Sequence, residues 1–181
     1  FMNYLRFIAI FLLFSFFVHA DQNDQRLDEL FLIISYSQDN VEMNKAILDI
    51  WNIWLETNDP IIENDFKKGL ELMKNGQLAS SIVMFTKVIE KKPIFAEAWN
   101  KRATVHYLLG DFDSSILDIK ETLKREPRHF GAMDGLGLIF IHLQEYENAI
   151  DVYDQMLKIF PHNTSTLKKR ERLVGLLSKS T

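Results

Sequence analysis

The chain has 181 residues, 47% hydrophobic and 25% charged, with a formal net charge of −4 at pH 7 and no cysteine. Its length and apolar content suit one folded domain with a sizeable core. The missing cysteine excludes disulfides, thiolate metal sites and Cys nucleophiles. A mildly acidic chain without a basic stripe is also a poor partner for nucleic acid, whose binding rests on phosphate neutralisation.

Residues 1–20 differ in composition from the rest. Arg6 precedes the uncharged, largely apolar run Ile8–Val18, and Val18-His19-Ala20 sets small residues at the two positions a signal peptidase reads. A membrane-spanning helix needs about 20 apolar residues. The run is shorter, so residues 1–20 are expected to be a cleaved signal peptide that exports the chain. If retained, the segment would be a membrane tether.

Residues 21–61 read as a helical hairpin. Leu27, Leu30, Phe31 and Ile34 share one helical face within Leu27–Ser35. Asp39-Asn40-Val41-Glu42 resembles a capping box and opens a second helix with Ile47, Ile50, Trp51, Trp54 and Leu55 in helical register. Thr57-Asn58-Asp59-Pro60 ends that helix. The hairpin is expected to cap the helices that follow, with Trp51 and Trp54 in the core against the unit that begins at Ile62. A docking surface of exposed tryptophans is the other reading.

From Ile62 onward the chain repeats. Pro93, Pro127 and Pro161 are spaced 34 residues apart and close units 62–95, 96–129 and 130–163 at position 32. Position 8 is small in each unit (Gly69, Ala103, Gly137), as is position 20 (Ser81, Ser115, Ala149). Position 24 is bulky (Phe85, Ile119, Tyr153), and position 17 is Leu78, Phe112 and Tyr146. Small residues at 8 and 20 let two helices cross closely, and the bulky residue at 24 fills the space between units. Gly76 and Gly110 at position 15 can take a positive φ and end the first helix of a unit, and the proline stops the second. Three positions depart from the pattern: Asp65 at position 4, His106 at position 11 and Gln144 at position 15.

This register resembles the tetratricopeptide repeat family over 62–163. The resemblance implies an all-α fold, a right-handed superhelix of antiparallel helix pairs with helical caps. It also implies a concave groove lined by positions 2, 5, 9, 12 and 13 of each unit. In the first unit these are Glu63, Phe66, Leu70, Met73 and Lys74. The second supplies Glu97, Asn100, Thr104, Tyr107 and Leu108, and the third Gly131, Asp134, Leu138, Ile141 and His142. Asn100 and Asp134 are the polar handles and Tyr107 the best anchor of this mainly apolar set, which is expected to be open unless the hairpin covers part of it. Some family members clamp a carboxylate with Lys, Asn and Arg, but Phe66, Lys101, Gly131 and Gly135 at the corresponding positions do not provide that set.

Residues 164–181 are expected to form a capping helix. In Ser165–Leu177, Leu167, Leu173, Leu176 and Leu177 alternate with Lys168, Lys169, Arg170 and Arg172. A basic helix lying on a membrane surface is the alternative.

No catalytic constellation, glycine elbow, phosphate loop or helical pair of metal-binding histidines is present in the sequence, so neither enzyme activity nor a cofactor is expected. The chain resembles short exported bacterial tetratricopeptide proteins. The expected role is a periplasmic, non-catalytic protein-interaction module that binds a peptide or helix in its groove. The alternative is a self-associating scaffold subunit.

Overall fold

A computed structural model describes residues 24–179, so the expected signal peptide, residues 1–20, lies outside the described residues. Nine α-helices and no strands are found among the described residues: α1 (Gln25–Tyr36), α2 (Asn40–Leu55), α3 (Pro60–Lys74), α4 (Leu78–Lys91), α5 (Ala96–Leu108), α6 (Phe112–Arg125), α7 (Phe130–His142), α8 (Tyr146–Ile159) and α9 (Thr164–Leu177). The pairs α3/α4, α5/α6 and α7/α8 occupy the three 34-residue units.

The small and bulky positions work against each other within each pair. A Cβ on Gly69 would lie 2.7 Å from the ring of buried Phe85, and one on Gly137 would lie 2.6 Å from the ring of buried Tyr153. Ser81 Oγ donates to Gly69 O and Ser115 Oγ donates to Ala103 O, each at 2.8 Å, which ties position 20 to position 8. The first helix of each repeat, its A helix (α3, α5 and α7), ends alike. Gly76 and Gly110 have φ of 73° and 77°, and Gln144 takes the same left-handed turn at 61°. The following amides reach back five residues, Gln77 N to Leu72 O, Asp111 N to His106 O and Glu145 N to Phe140 O, as in a Schellman motif.

Asp59 caps α3 by accepting from the amides of Ile61 and Ile62, with Pro60 as the first helical residue. Asp39 caps α2 through Val41 N. The expected capping box is only half formed, because the Glu42 carboxylate accepts from Ser37 Oγ at 2.5 Å instead of from the Asp39 amide. The Asp39 amide donates to Ser37 Oγ.

The hairpin's seat corrects an expectation. Trp51 and Trp54 do not pack on the first repeat. The α1–α2 hairpin crosses to the third, where Phe31, Ile34, Ile50 and Trp54 share one core with Phe130, Met133, Tyr153, Met156 and Phe160. The first repeat has its own core around Phe66, Phe85 and Phe95. Asp65 gives the physical reason. At position 4, where Trp99 and Met133 stand in the later repeats, its carboxylate is held by Lys87 at 2.9 Å and Lys91 at 2.8 Å. That end of the solenoid is built for water and offers no apolar seat. At the other end α9 lies on α8, buries Thr166 and Leu173, and pairs Arg170 with Asp154.

Candidate partner-binding groove

The A helices α5 and α7 enclose a cavity of about 270 Å³. One wall comes from Asn100, Thr104, Tyr107 and Leu108 of α5, and the opposite wall from Gly131, Asp134, Gly135 and Leu138 of α7. The floor is Ala103 with Ser115 and Ile119 of α6. Thus seven residues chosen from the sequence meet in one place: Asn100, Thr104, Tyr107, Leu108, Gly131, Asp134 and Leu138.

The other chosen residues lie elsewhere. Phe66 is buried in the first-repeat core, where its ring meets Phe95 at 5.0 Å, and Leu70 and Met73 pack on the same core. Lys74 is exposed at the end of α3. Ile141 packs on the third-repeat core, and His142 lies against Phe112 with ring centroids 4.6 Å apart. Glu97 is fully buried. Sequence reasoning missed the floor residues Ala103, Ser115 and Ile119, because their positions carry the packing signature of the repeat and look purely structural.

Glu97 anchors a polar network beside the cavity. Asn100 Nδ2 donates to its carboxylate at 2.9 Å, and Lys101 Nζ lies 2.8 Å from the other oxygen. His129, also fully buried, accepts at Nδ1 from the Ala132 amide, so the ring proton sits on Nε2 and is donated to Glu97 at 2.9 Å. Burial pushes the Glu97 carboxyl up, but the His129 hydrogen bond and the Lys101 charge outweigh it and hold the group below the ordinary glutamate range.

The hairpin lies over this network. Trp54 stacks on His129 with ring centroids 4.1 Å apart, and Lys101 Nζ sits 5.4 Å from the Trp51 ring centre. A Cβ on Gly131 would lie 2.5 Å from Trp51. The groove is therefore covered at the N-terminal ends of α5 and α7, where Trp51 meets Lys101 and Gly131, and the cavity continues beside this cover toward Leu108 and Leu138. Both polar handles are already engaged, Asn100 with Glu97 and Asp134 with Lys169 of α9 at 2.5 Å.

Beneath α7, burial pushes the Tyr153 phenol well above its ordinary range, with Asp134 and Tyr107 adding to the shift. No group of three or more His, Asp or Glu residues suited to a metal ion occurs among the described residues, and none of their helices is long and apolar enough to cross a membrane.

The tetratricopeptide repeat family model matches residues 66–119 and 109–164. The chain belongs to the tetratricopeptide repeat (TPR) family. A TPR repeat-containing protein of Rhizobium etli is 27% identical over 154 residues, which span 85% of this chain and 76% of the relative. Hsp70-Hsp90 organizing protein 1 of Glycine max is 25% identical over 124 residues, 68% of this chain but 22% of that protein. The TPR chain thus spans about a fifth of the organizing protein's length. Among solved structures, the first TPR of Spaghetti (RPAP3) bound to the HSP90 peptide SRMEEVD shares the fold, with a TM-score of 0.61 and 20% identity over 65% of this chain and 93% of that one.

Proposed function

We propose that this TPR chain is a non-catalytic interaction module of the cell envelope whose shortened groove takes a bulky apolar side chain of a peptide or helix. The carrying observation is the cavity between α5 and α7, with Tyr107, Leu108 and Leu138 at its rim and Ala103, Ser115 and Ile119 at its base. A TPR neighbour holds an acidic HSP90 peptide, which supports a peptide-binding role in general. The chemistry here differs, because Lys101 is turned to Glu97 and Trp51 and is not free for a carboxylate.

Burying roughly 100 Å² of a partner's apolar surface contributes about 2.5 kcal/mol before ordering costs. The cavity therefore works as an anchor within a longer contact. Export to the envelope rests on the composition of residues 1–20, and the intact mass of the mature protein tests it.

Gly135 provides the test of the groove. A Cβ there would meet only Ile119 Cδ1, at 3.7 Å, so a larger side chain enters the cavity without striking backbone. Peptides selected from a random display library on the intact chain are expected to be rich in Leu, Phe and Trp. They are expected to lose about tenfold or more in affinity for Gly135→Leu, on the order of 1.4 kcal/mol. Equal binding to both proteins, or selection of acidic C-terminal peptides, overturns the assignment.

A second reading, self-association, has one observation in its favour. Val41, Leu48 and Leu55 form an exposed apolar stripe at seven-residue spacing on α2. Light scattering on a size-exclusion column separates the two, since a stable dimer supports the stripe as the contact.

A further inference from the structure

We propose that the α1–α2 hairpin is a reversible occupant of its own TPR groove, one that undocks as a unit while the three repeats stay folded. The regulatory meaning of this step, that the hairpin and a partner compete, rests on the groove reading above. The hairpin's independence does not.

Four observations carry the proposal. The first is where the hairpin sits. Trp51 covers Gly131 at position 2 of the third repeat and meets Lys101 at position 6 of the second, and Trp54 covers His129. Gly131 is a groove-facing site with Lys101 and His129 beside it, and it belongs both to the seat of Trp51 and to the cavity wall.

The second is that the seat keeps its hydrogen bonds without the hairpin. Asn100 and His129 donate to Glu97 Oε2, Lys101 pairs with Oε1, and the Ala132 amide donates to His129, all within α5, α7 and the turn before α7. Undocking breaks none of these contacts. The polar ties it does break lie toward the rim: Asp28 to Arg128 at 2.7 Å, Ser35 Oγ to Ile159 O at 2.9 Å and Gln38 to His162 at 3.4 Å.

The third is an unmet donor. The Trp54 indole N–H is buried without a hydrogen-bond partner in the docked state, and water would satisfy it once the hairpin leaves. Apolar burial of Phe31, Ile34 and Trp54 opposes this and keeps the docked form dominant.

The fourth is a pivot. Glu56 is tied to Arg26 of its own hairpin at 2.6 Å, whereas the Thr57 carbonyl accepts from Lys92 Nζ of the solenoid at 2.6 Å. Adjacent residues thus belong to different bodies, and Asn58 just beyond them turns left-handed at φ 54°. The first repeat needs no cover, since the exposed Lys87 and Lys91, paired with Asp65, make its outer end polar.

Native-state hydrogen exchange on the full chain and on Gly131→Ala tests this. The added methyl strikes Trp51 and spares the interfaces among α4, α5 and α6. In the wild type, the amides of α1 and α2 are expected to share one protection level below that of α4–α6. In Gly131→Ala, hairpin protection is expected to fall by about tenfold or more while α4–α6 change less than about twofold. A wild-type hairpin whose protection equals that of α4–α6, or a joint loss across all these helices in the variant, overturns the proposal. Neither readout involves a partner, so failure here leaves the groove reading separately testable.

Discussion

The Trp54 indole lies face to face with the His129 imidazole, the rings 10° from parallel and their centroids 4.1 Å apart. His129 caps α7 through Nδ1 and serves Glu97 through Nε2. One residue thus starts a helix, satisfies a buried carboxylate and presents a flat ring to the hairpin.

Truncating Trp54→Ala is expected to weaken hairpin docking by about 3–5 kcal/mol, the usual cost of deleting a large buried side chain. Trp54→Phe is expected to stay within about 1 kcal/mol of wild type, because losing the unpartnered N–H offsets part of the lost contact. Amide protection in α1 and α2 reads both values. Equal losses in the two variants would show that the stack contributes little.

Glu97→Gln should lower stability at pH 7 by about 1–3 kcal/mol, since the Lys101 and His129 bonds to a carboxylate become bonds to a neutral amide. The folded pKa of Glu97 is depressed. Its contribution is therefore complete above the unfolded value of about 4.3 and is lost as pH falls from there through the folded value. Urea midpoints of wild type and variant should draw together as pH falls below about 4.3. A gap that stays constant would place the effect outside ionisation.

Gln144 holds the left-handed turn that Gly76 and Gly110 hold in the other repeats. Gln144→Gly is expected to stabilise by about 1 kcal/mol, because the left-handed region penalises a Cβ. For a chain of this size that raises the melting temperature by about 2–4 °C. Calorimetry checks it, and a fall would mean that the Gln144 side chain matters more than its backbone.

Two glycines two residues apart in α7 should respond with opposite signs. Gly137→Ala drives a methyl into the Tyr153 ring and is expected to cost about 1–3 kcal/mol. Gly135→Ala meets no hard contact and is expected to stabilise by up to about 1 kcal/mol through helix propensity. Denaturant titration of both gives the comparison, and two losses of equal size would refute the open space beside Gly135.

The repeat register was legible because small and bulky residues recur at fixed spacing, and Gly69 against Phe85 or Gly137 against Tyr153 is the contact that spacing encodes. The hairpin's helices were legible from their apolar faces, but their seat was not. An amphipathic pattern says that Trp51 and Trp54 bury one face and is silent about what covers it. The usable signal was Asp65, whose charge at a normally bulky position marks a solvated end. The site was legible in part for the same reason. Tyr107 and Leu138 line the cavity as the resemblance implies, whereas Glu97 at a groove-facing position is sealed beneath a hairpin that repeat positions do not encode.

Asp65 also governs whether the array can be lengthened. A further helix pair stacked on α3 and α4 would strip water from the two exposed ammonium groups that hold the buried Asp65 carboxylate, a desolvation that costs several kcal/mol per ion. The outer face of α3 and α4 is therefore closed to further stacking by its own chemistry. Anyone concatenating these repeats would begin by exchanging Asp65, Lys87 and Lys91 for the neutral, bulky residues that an internal joint requires.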